Sequence, residues 1–328
     1  MVGYRNEERV TGDKFHGSSQ VSSASCSLYP IRVSPRIYYC DAHSIDLPAG
    51  HRFPSGKYKM VRERLVGDGF TLQLAPFAPI DLIKLVHSER YVSQFLAGSL
   101  SAWAVRRIGF PWSEGLVRRT LTSLGGTLAA AEDALRRGWG ANLAGGTHHA
   151  FADGGAGYCV FNDLAVAIQW LRRDGRIQRA AVVDLDVHQG DGTAGIFSGD
   201  PDVLTISMHC RSNFPLRKQE SNIDVELDDG TRDDEYLAAL DFVLPQVMAF
   251  RPNIILYQAG VDPLHTDQLG HLALTHAGLK ERDRRIMLAA WSHDIPLVIT
   301  LGGGYSLPLE LTAEAHANVY RTAWEVFG

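Results

Sequence analysis

Asp184, Asp186 and His188 alternate with apolar residues where a buried strand should end, in the run Ala180-Ala181-Val182-Val183-Asp184-Leu185-Asp186-Val187-His188-Gln189-Gly190-Asp191-Gly192-Thr193. Side chains two apart on a strand share a face, so the spacing predicts that the three converge. A helix would splay them around its axis. Two carboxylates and an imidazole are costly at the end of a buried strand unless something charged neutralises them. A divalent metal ion is the simplest such thing.

Three other segments share this design, an apolar run followed by glycine and one or two polar residues. They are Leu143-Ala144-Gly145-Gly146-Thr147-His148-His149-Ala150, the run 253–258 leading into Ala259-Gly260-Val261-Asp262-Pro263, and 296–301 leading into Gly302-Gly303-Gly304-Tyr305. Each has an ordinary explanation taken singly. Paired histidines hydrogen-bond in loops, aspartate before proline is a common turn residue, and a glycine triplet can be a tight turn. Their joint occurrence at four predicted strand ends points instead to one cleft holding His148, His149, Asp186, His188, Asp262 and Tyr305.

The surrounding pattern supplies elements to position them. Residues 36–40 read as a first strand, and helices are expected over 57–66 and 82–95 by apolar spacing of three and four. Residues 109–114 form a loop, with Phe110, Pro111 and Trp112, suited to a rim. A long Ala/Leu-rich helix over 116–137 is stopped by Gly138. The Gly-rich stretch 153–163 ends with Asn162 or Asp163 placed to cap a helix running to 173. A strand at 202–208 leads into His209-Cys210-Arg211-Ser212-Asn213-Phe214-Pro215, and an acidic loop around Asp228-Asp229-Gly230 precedes a helix over 233–250. Further helices are expected at 274–292 and at the end of the chain, to about 327. Strands alternating with such helices indicate right-handed βαβ units and a parallel sheet, in which ligands bind outside the carboxyl ends of the strands. No linker or internal repeat interrupts residues 36–328, so one α/β domain is expected there.

Composition narrows the class. At 328 residues with 45% hydrophobic content the chain can bury a large core. A net charge of −5 with no basic stripe argues against a nucleic-acid surface, and the pairs Arg106-Arg107, Arg118-Arg119 and Arg172-Arg173 read as solvated helix faces. No apolar run is long enough to span a bilayer. Cys26, Cys40, Cys159 and Cys210 are far apart with no CxxC pair, which argues against a disulfide framework and a thiolate zinc site and fits a reducing, cytoplasmic setting. Residues 1–35 are polar and Ser-rich with Glu7, Glu8 and Asp13. They lack the marks of a signal or transit peptide and read as a loose, disorder-compatible extension.

From about residue 35 to 327 the chain resembles the arginase/deacetylase fold, and within it the zinc-dependent histone deacetylase family and its bacterial relatives. The motifs Gly-Gly-Thr-His-His-Ala, Asp-Leu-Asp-Val-His-Gln-Gly-Asp-Gly-Thr, Gly-Val-Asp-Pro and Gly-Gly-Gly-Tyr occur in that family's order. The loop 207–215 is closer to class IV and bacterial deacetylases than to class I. The resemblance implies a single-domain, three-layer α/β/α architecture with a central, mainly parallel sheet. It implies Asp186, His188 and Asp262 as zinc ligands, with Fe2+ a possible substitute, and a coordination position left for water and the substrate carbonyl. Asp184 would pair with His148 and Asp191 with His149, making His149 the general base and His148 an electrostatic partner or auxiliary acid. Tyr305 would donate a hydrogen bond to the carbonyl oxygen. Gly157, Tyr158, Phe214 and Leu269 would line the acyl-lysine channel. Asp184, Asp186, His188, Ser207 and Met208 would hold a structural K+.

The resemblance implies removal of acetyl or longer acyl groups from lysine side chains of proteins. The nearest rival is the same chemistry on small acylated amines such as acetylpolyamines. A non-catalytic acyl-lysine-binding scaffold is the alternative of another class. Pro263 leaves no second carboxylate beside Asp262, against the two-manganese arrangement of arginases. Glu114 is a candidate for the acidic rim residue that grips peptide substrates in class I. Asp267 and the pair Asp228-Asp229 are candidates for acids at the mouth. Oligomeric state is not legible.

Overall fold

Successive side chains along the strands enter two separate cores, and this divides the molecule into layers. Ala181, Val183, Ile255 and Tyr257 belong to one buried cluster, and Ala180, Val182, Ile254 and Leu256 to the other, the period-two alternation of strands buried on both faces. The strands are β1 (Ile37–Tyr39), β2 (Leu72–Leu74), β3 (Trp139–Asn142), β4 (Ala180–Asp184), β5 (Val203–Cys210), β6 (Ile223–Leu227), β7 (Ile254–Gln258) and β8 (Leu297–Thr300). They form one sheet in the order β2-β1-β3-β8-β7-β4-β5-β6, and every pairing is parallel. The structure is a computed structural model describing residues 36–328. The N-terminal extension expected over 1–35, with Cys26, lies outside the described residues.

The helices are α1 (Gly56–Gly67), α2 (Ile80–Ile83), α3 (Glu89–Leu96), α4 (Ala102–Ile108), α5 (Glu114–Arg137), α6 (Asp163–Arg173), α7 (Asp191–Ile196), α8 (Asp233–Phe250), α9 (His276–Ser292) and α10 (Leu309–Phe327). Val61 of α1, Leu240 of α8, Ile286 of α9 and Val319 of α10 pack on one face of the sheet. Val92 of α3, Leu128 of α5 and Leu164 of α6 pack on the other. Burying each such side chain stabilises by about 1.5–3 kcal/mol, and together they produce the three-layer α/β/α architecture. Among the described residues no helix is long and apolar enough to cross a membrane.

Several sequence readings change. The single helix expected over 82–95 is two, α2 and α3. The Ser88 hydroxyl accepts from Tyr91 N at 3.4 Å and caps α3, while Ser88 N donates to Ala152 O at 2.9 Å, so the backbone there serves tertiary bonds instead of a helical ladder. Between the two candidate caps of α6, Asn162 is the one used, its Oδ1 accepting from Ala165 N at 3.0 Å. Arg119 is not on a solvated face. It is buried, with its guanidinium 4.1 Å from the Tyr58 ring centroid. The short elements β2, β6, α4 and α7 carry too few periodic positions to stand out in the sequence, and β3 ends at Asn142, before the apolar lead Leu143-Ala144 that marked it.

His87, buried beside the α2–α3 break, joins two loops. Its Nδ1 lies 3.0 Å from Phe151 O, and its Nε2 accepts from Asn162 N at 2.8 Å. Burial pushes its pKa down from 6.5 to about 4. Between those values the unfolded chain binds a proton that the folded chain does not, so stability is lost as pH falls. His87→Phe is predicted to be less stable at neutral pH yet to lose roughly 2 kcal/mol less than the parent between pH 7 and pH 5, measured by urea unfolding at both. Equal losses in the two proteins would contradict this assignment.

Candidate active site

Five neighbouring strands, β3, β8, β7, β4 and β5, point their carboxyl ends into one pocket of about 380 Å³. The loops that follow them bring His148, His149, Tyr305, Asp262, Asp186, His188 and Phe214 to its lining, the convergence expected from the sequence. The means differ from the expected pleat. Strand β4 stops at Asp184, and residues 186–188 form a bend. Asp186 N donates to Asp184 Oδ1 at 3.2 Å and His188 N to Asp186 Oδ1 at 3.0 Å. Successive side-chain-to-backbone bonds, typical of aspartate, therefore position the three residues.

Ligand atoms of Asp186, His188 and Asp262 lie within 4.8 Å of one another. His188 Nδ1 is 3.0 Å from Asp186 Oδ1 and 3.2 Å from Asp262 Oδ2. Asp186 Oδ2 accepts from Gln258 Nε2 at 2.9 Å and from Gly303 N at 2.8 Å, and Asp262 Oδ1 accepts from Val187 N at 2.9 Å. Asp262 Oδ2 is buried yet makes no well-directed hydrogen bond, an expensive condition for a carboxylate oxygen. Burial and the charge of Asp186 push the Asp262 carboxyl up to about 7. For Asp186, burial also opposes ionisation, but His148 and His188 outweigh it and hold the pKa well below the usual carboxylate range. Two carboxylates and an imidazole, with one buried oxygen lacking a well-directed hydrogen bond, form a donor set that fits a divalent cation.

Beside this group His148 and His149 stack with ring centroids 4.0 Å apart. His148 Nδ1 is 2.6 Å from Asp184 Oδ2, and His149 Nδ1 is 2.7 Å from Asp191 Oδ1. Burial disfavours charge on both rings, but their electrostatics diverge. Asp184 and Asp186 overcome burial and raise His148 to about 9, while burial and the cation on His148 hold His149 down to about 4. One ring of the pair is thus charged and the other neutral at pH 7. Asp163 secures the loop beneath them, accepting from Gly146 N at 3.1 Å and Thr147 N at 2.8 Å.

Lys57 was not anticipated. It sits on α1 among residues whose pattern suggests a solvent face, yet it is buried, with Nζ donating to Gly302 O at 3.0 Å and Gly304 O at 3.4 Å. Nζ also lies 5.2 Å from the centroid of Tyr305. Burial lowers its pKa to about 8, against the opposing pull of Asp262 and Asp186. Asp267 braces the same turn from the other side, accepting from Tyr305 N at 2.6 Å and from Leu269 N and Gly270 N at 2.9 Å. It is a buried anchor and not a mouth acid.

Gly157, Tyr158, Phe214 and Leu269 all line the pocket. Gly157, at φ +54°, passes so close to the general-base candidate that a Cβ there would lie 2.6 Å from His149 Cδ2. Phe214 meets His149 edge-on at 4.9 Å, and Tyr158 packs among Phe53, Phe110 and Tyr305 at 5.3, 5.2 and 6.4 Å. Glu114 is no rim acid. It opens α5, exposed, and its carboxylate accepts from Arg118 at 3.2 Å. Asp229 does approach the mouth, where Ser212 Oγ donates to it at 2.5 Å. Ser207 faces Asp184 in the β4–β5 register, and Met208 follows it.

Residues 51–322 match the histone deacetylase domain family. An uncharacterized protein of Picosynechococcus is 41% identical over 298 residues, covering 89% of this chain and 99% of its own. Histone deacetylase 2 of Arabidopsis thaliana is 34% identical, covering 78% and 70%. A probable deacetylase of Archaeoglobus fulgidus is also 34% identical, covering 71% and 69%.

The glycine turn sets the space around the carboxylates. A Cβ on Gly303 would lie 2.0 Å from Asp262 Oδ2 and 2.8 Å from Asp186 Oδ2. Gly303→Ala is predicted to lower divalent-metal affinity at least about tenfold in equilibrium dialysis. Parental affinity in a folded variant would show that these carboxylates do not form the site.

Proposed function

Because the chain belongs to the histone deacetylase family, we propose that it is a zinc-dependent amidohydrolase removing acetyl or longer acyl groups from lysine side chains. The observation that carries the reading is the meeting, in a single pocket, of a buried two-carboxylate, one-imidazole group with two histidines each held at Nδ1 by its own aspartate.

Asp186, His188 and Asp262 would hold the zinc, and the same donors suit Fe2+. When bound, the ion supplies Lewis acidity toward a carbonyl oxygen and acidifies a water. The remaining tasks fall to the chain itself. His149 donates a hydrogen bond from Nδ1–H to Asp191, which leaves the Nε2 lone pair free as the base, and its low pKa keeps the ring neutral. Nε2 takes the proton of the attacking water and delivers it to the leaving amine nitrogen. His148, held cationic by Asp184, adds positive potential where negative charge develops. The Tyr305 phenol, which burial keeps protonated far into the alkaline range, donates to the developing oxyanion. Lys57 holds the turn carrying that phenol through its bonds to Gly302 and Gly304.

Gly157, Tyr158, Phe214 and Leu269 would sheath the methylene stem of the acyl-lysine, an apolar sleeve leading to a polar floor. A structural K+ would take Asp184, Asp186, His188, Ser207 and Met208. Cys40, Cys159 and Cys210 are free and buried, consistent with a reducing cytoplasm.

Acetyl-lysine peptides, longer acyl-lysine peptides and acetylated polyamines should be compared as substrates of the zinc-loaded protein. Cleavage of acyl-lysine peptides, blocked by a hydroxamate chelator, is the expected result. A zinc-loaded protein inert on every acyl amine would overturn the enzyme reading, and preference for polyamines would overturn the substrate class. His149→Ala should lower kcat by orders of magnitude with zinc content unchanged. Tyr305→Phe should lower it about 10²–10³-fold. Loss of zinc from the His149 variant would contradict the separation of base from ligands.

A further inference from the structure

At the mouth of the pocket a second group of side chains has the composition of a metal site. Cys210 ends β5, Asp229 lies in the turn after β6, and His271 lies in the loop between β7 and α9. Their ligand atoms are within 4.8 Å of one another, and among the described residues only this trio and the Asp186–His188–Asp262 group meet that condition. Cys210 Sγ is 3.1 Å from Asp229 Oδ1, and His271 Nδ1 is 3.6 Å from Asp229 Oδ2. Ser212 Oγ stands among them, 2.5 Å from Asp229 Oδ1, 2.7 Å from His271 Nδ1 and 3.7 Å from Cys210 Sγ. A tetrahedral zinc ion with bonds of about 2.0–2.3 Å separates its ligand atoms by about 3.3–3.5 Å. The sulfur–carboxylate and imidazole–carboxylate spacings already sit near those edges.

The backbone holds the three segments in place. Asn213 Nδ2 donates to Leu269 O at 2.6 Å, His271 N to Asn213 Oδ1 at 3.0 Å, and Gly230 N to His271 O at 2.8 Å. The segments carrying the three ligands are therefore stitched together by bonds that use none of the proposed ligand atoms. The cysteine is fully buried while Asp229 and His271 are exposed, so an ion would reach the site from solvent and be closed off on its inner side by the sulfur.

We propose that Cys210, Asp229 and His271 form a second, structural site for a zinc-class divalent cation, with Ser212 or a water as fourth ligand. On binding, the Cys210 S–H bond breaks, its proton passes to solvent, and a sulfur–metal bond forms. Thiolate and carboxylate then balance the two charges of the ion exactly in number, with the imidazole neutral. The ion cross-links the loops bearing Phe214 and Leu269, and so fixes one wall of the mouth. Ser212 and His271 themselves line the pocket.

Cobalt distinguishes this site from the first, because only a sulfur ligand produces thiolate-to-cobalt charge-transfer absorption in the near ultraviolet and the Asp186–His188–Asp262 group has no sulfur. The chelator-treated full chain should bind two equivalents of Co2+, one accompanied by that band. Cys210→Ala should remove the band and one equivalent while keeping the other. His271→Ala, a change at an exposed residue, should weaken the band-forming equivalent at least tenfold. Zinc in excess should erase the band. A parent protein showing no band up to millimolar cobalt, or a band that survives Cys210→Ala, would overturn the proposal.

Discussion

Negative charge buried at the carboxyl ends of the central strands is the constraint from which most of the site follows. Asp184, Asp186, Asp191 and Asp262 are all buried, and a buried carboxylate without compensation costs several kcal/mol. The chain answers with cations drawn from distant elements. His148 neutralises Asp184, Lys57 reaches in from α1, and Arg282 of α9 lies fully buried underneath. Arg282 Nη1 donates to Leu185 O at 3.2 Å and Gly260 O at 2.6 Å, the carbonyls next to Asp186 and two residues before Asp262. Asp283 pairs with the same guanidinium at 2.8 Å, so Arg282 adds rigidity here more than net charge. A donor oxygen on Asp262 is left over after these pairings, and that remainder is what a metal ion suits.

Close packing around the carboxylates limits what the loops can be made of. Besides Gly303, a Cβ on Gly260 would fall 2.3 Å from Asp186 Oδ2, and one on Gly190 would fall 2.3 Å from Asp184 Oδ2. Gly260 and Gly303 are therefore spaces reserved for carboxylates of a neighbouring strand end, and Gly190 for the carboxylate that closes its own strand. Their role is steric as much as conformational.

Those glycines also explain what could be read in advance. Strands β7 and β8 are mainly apolar runs followed within two residues by glycine, and β4 is an apolar run closed by Asp184, so their existence, their parallel pairing and the meeting of their ends were legible. The spacing of Asp184, Asp186 and His188 led to the right convergence through the wrong geometry, because a pleat and a chain of aspartate-capped turns both place alternate residues on one side. Lys57 was illegible: in Gly-Lys-Tyr-Lys-Met-Val-Arg-Glu-Arg nothing local separates the lysine that turns inward from the basic residues that face water. Arg119 misled for the same reason, since its aromatic partner Tyr58 is sixty-one positions away. The break between α2 and α3 depends on a bond to Ala152 and leaves no mark on apolar periodicity. Cys210, Asp229 and His271 are brought together from the end of one strand and the loops that follow two others.

Among the described residues, strand β8 comes last in sequence yet lies inside the sheet, between β3 and β7. Before residues 297–300 emerge during synthesis, β3 and β7 are both open edges, and open edges invite pairing with other chains. Joining them requires contacts across more than one hundred and fifty positions of sequence from β3, the kind of long-range closure that slows folding. Tyr305 and the glycines beneath it arrive on the same segment. Closure of the sheet and completion of the pocket are thus one late event, and a ribosome-bound chain lacking β8 carries the histidines and all the carboxylates of the site without the floor that orders them.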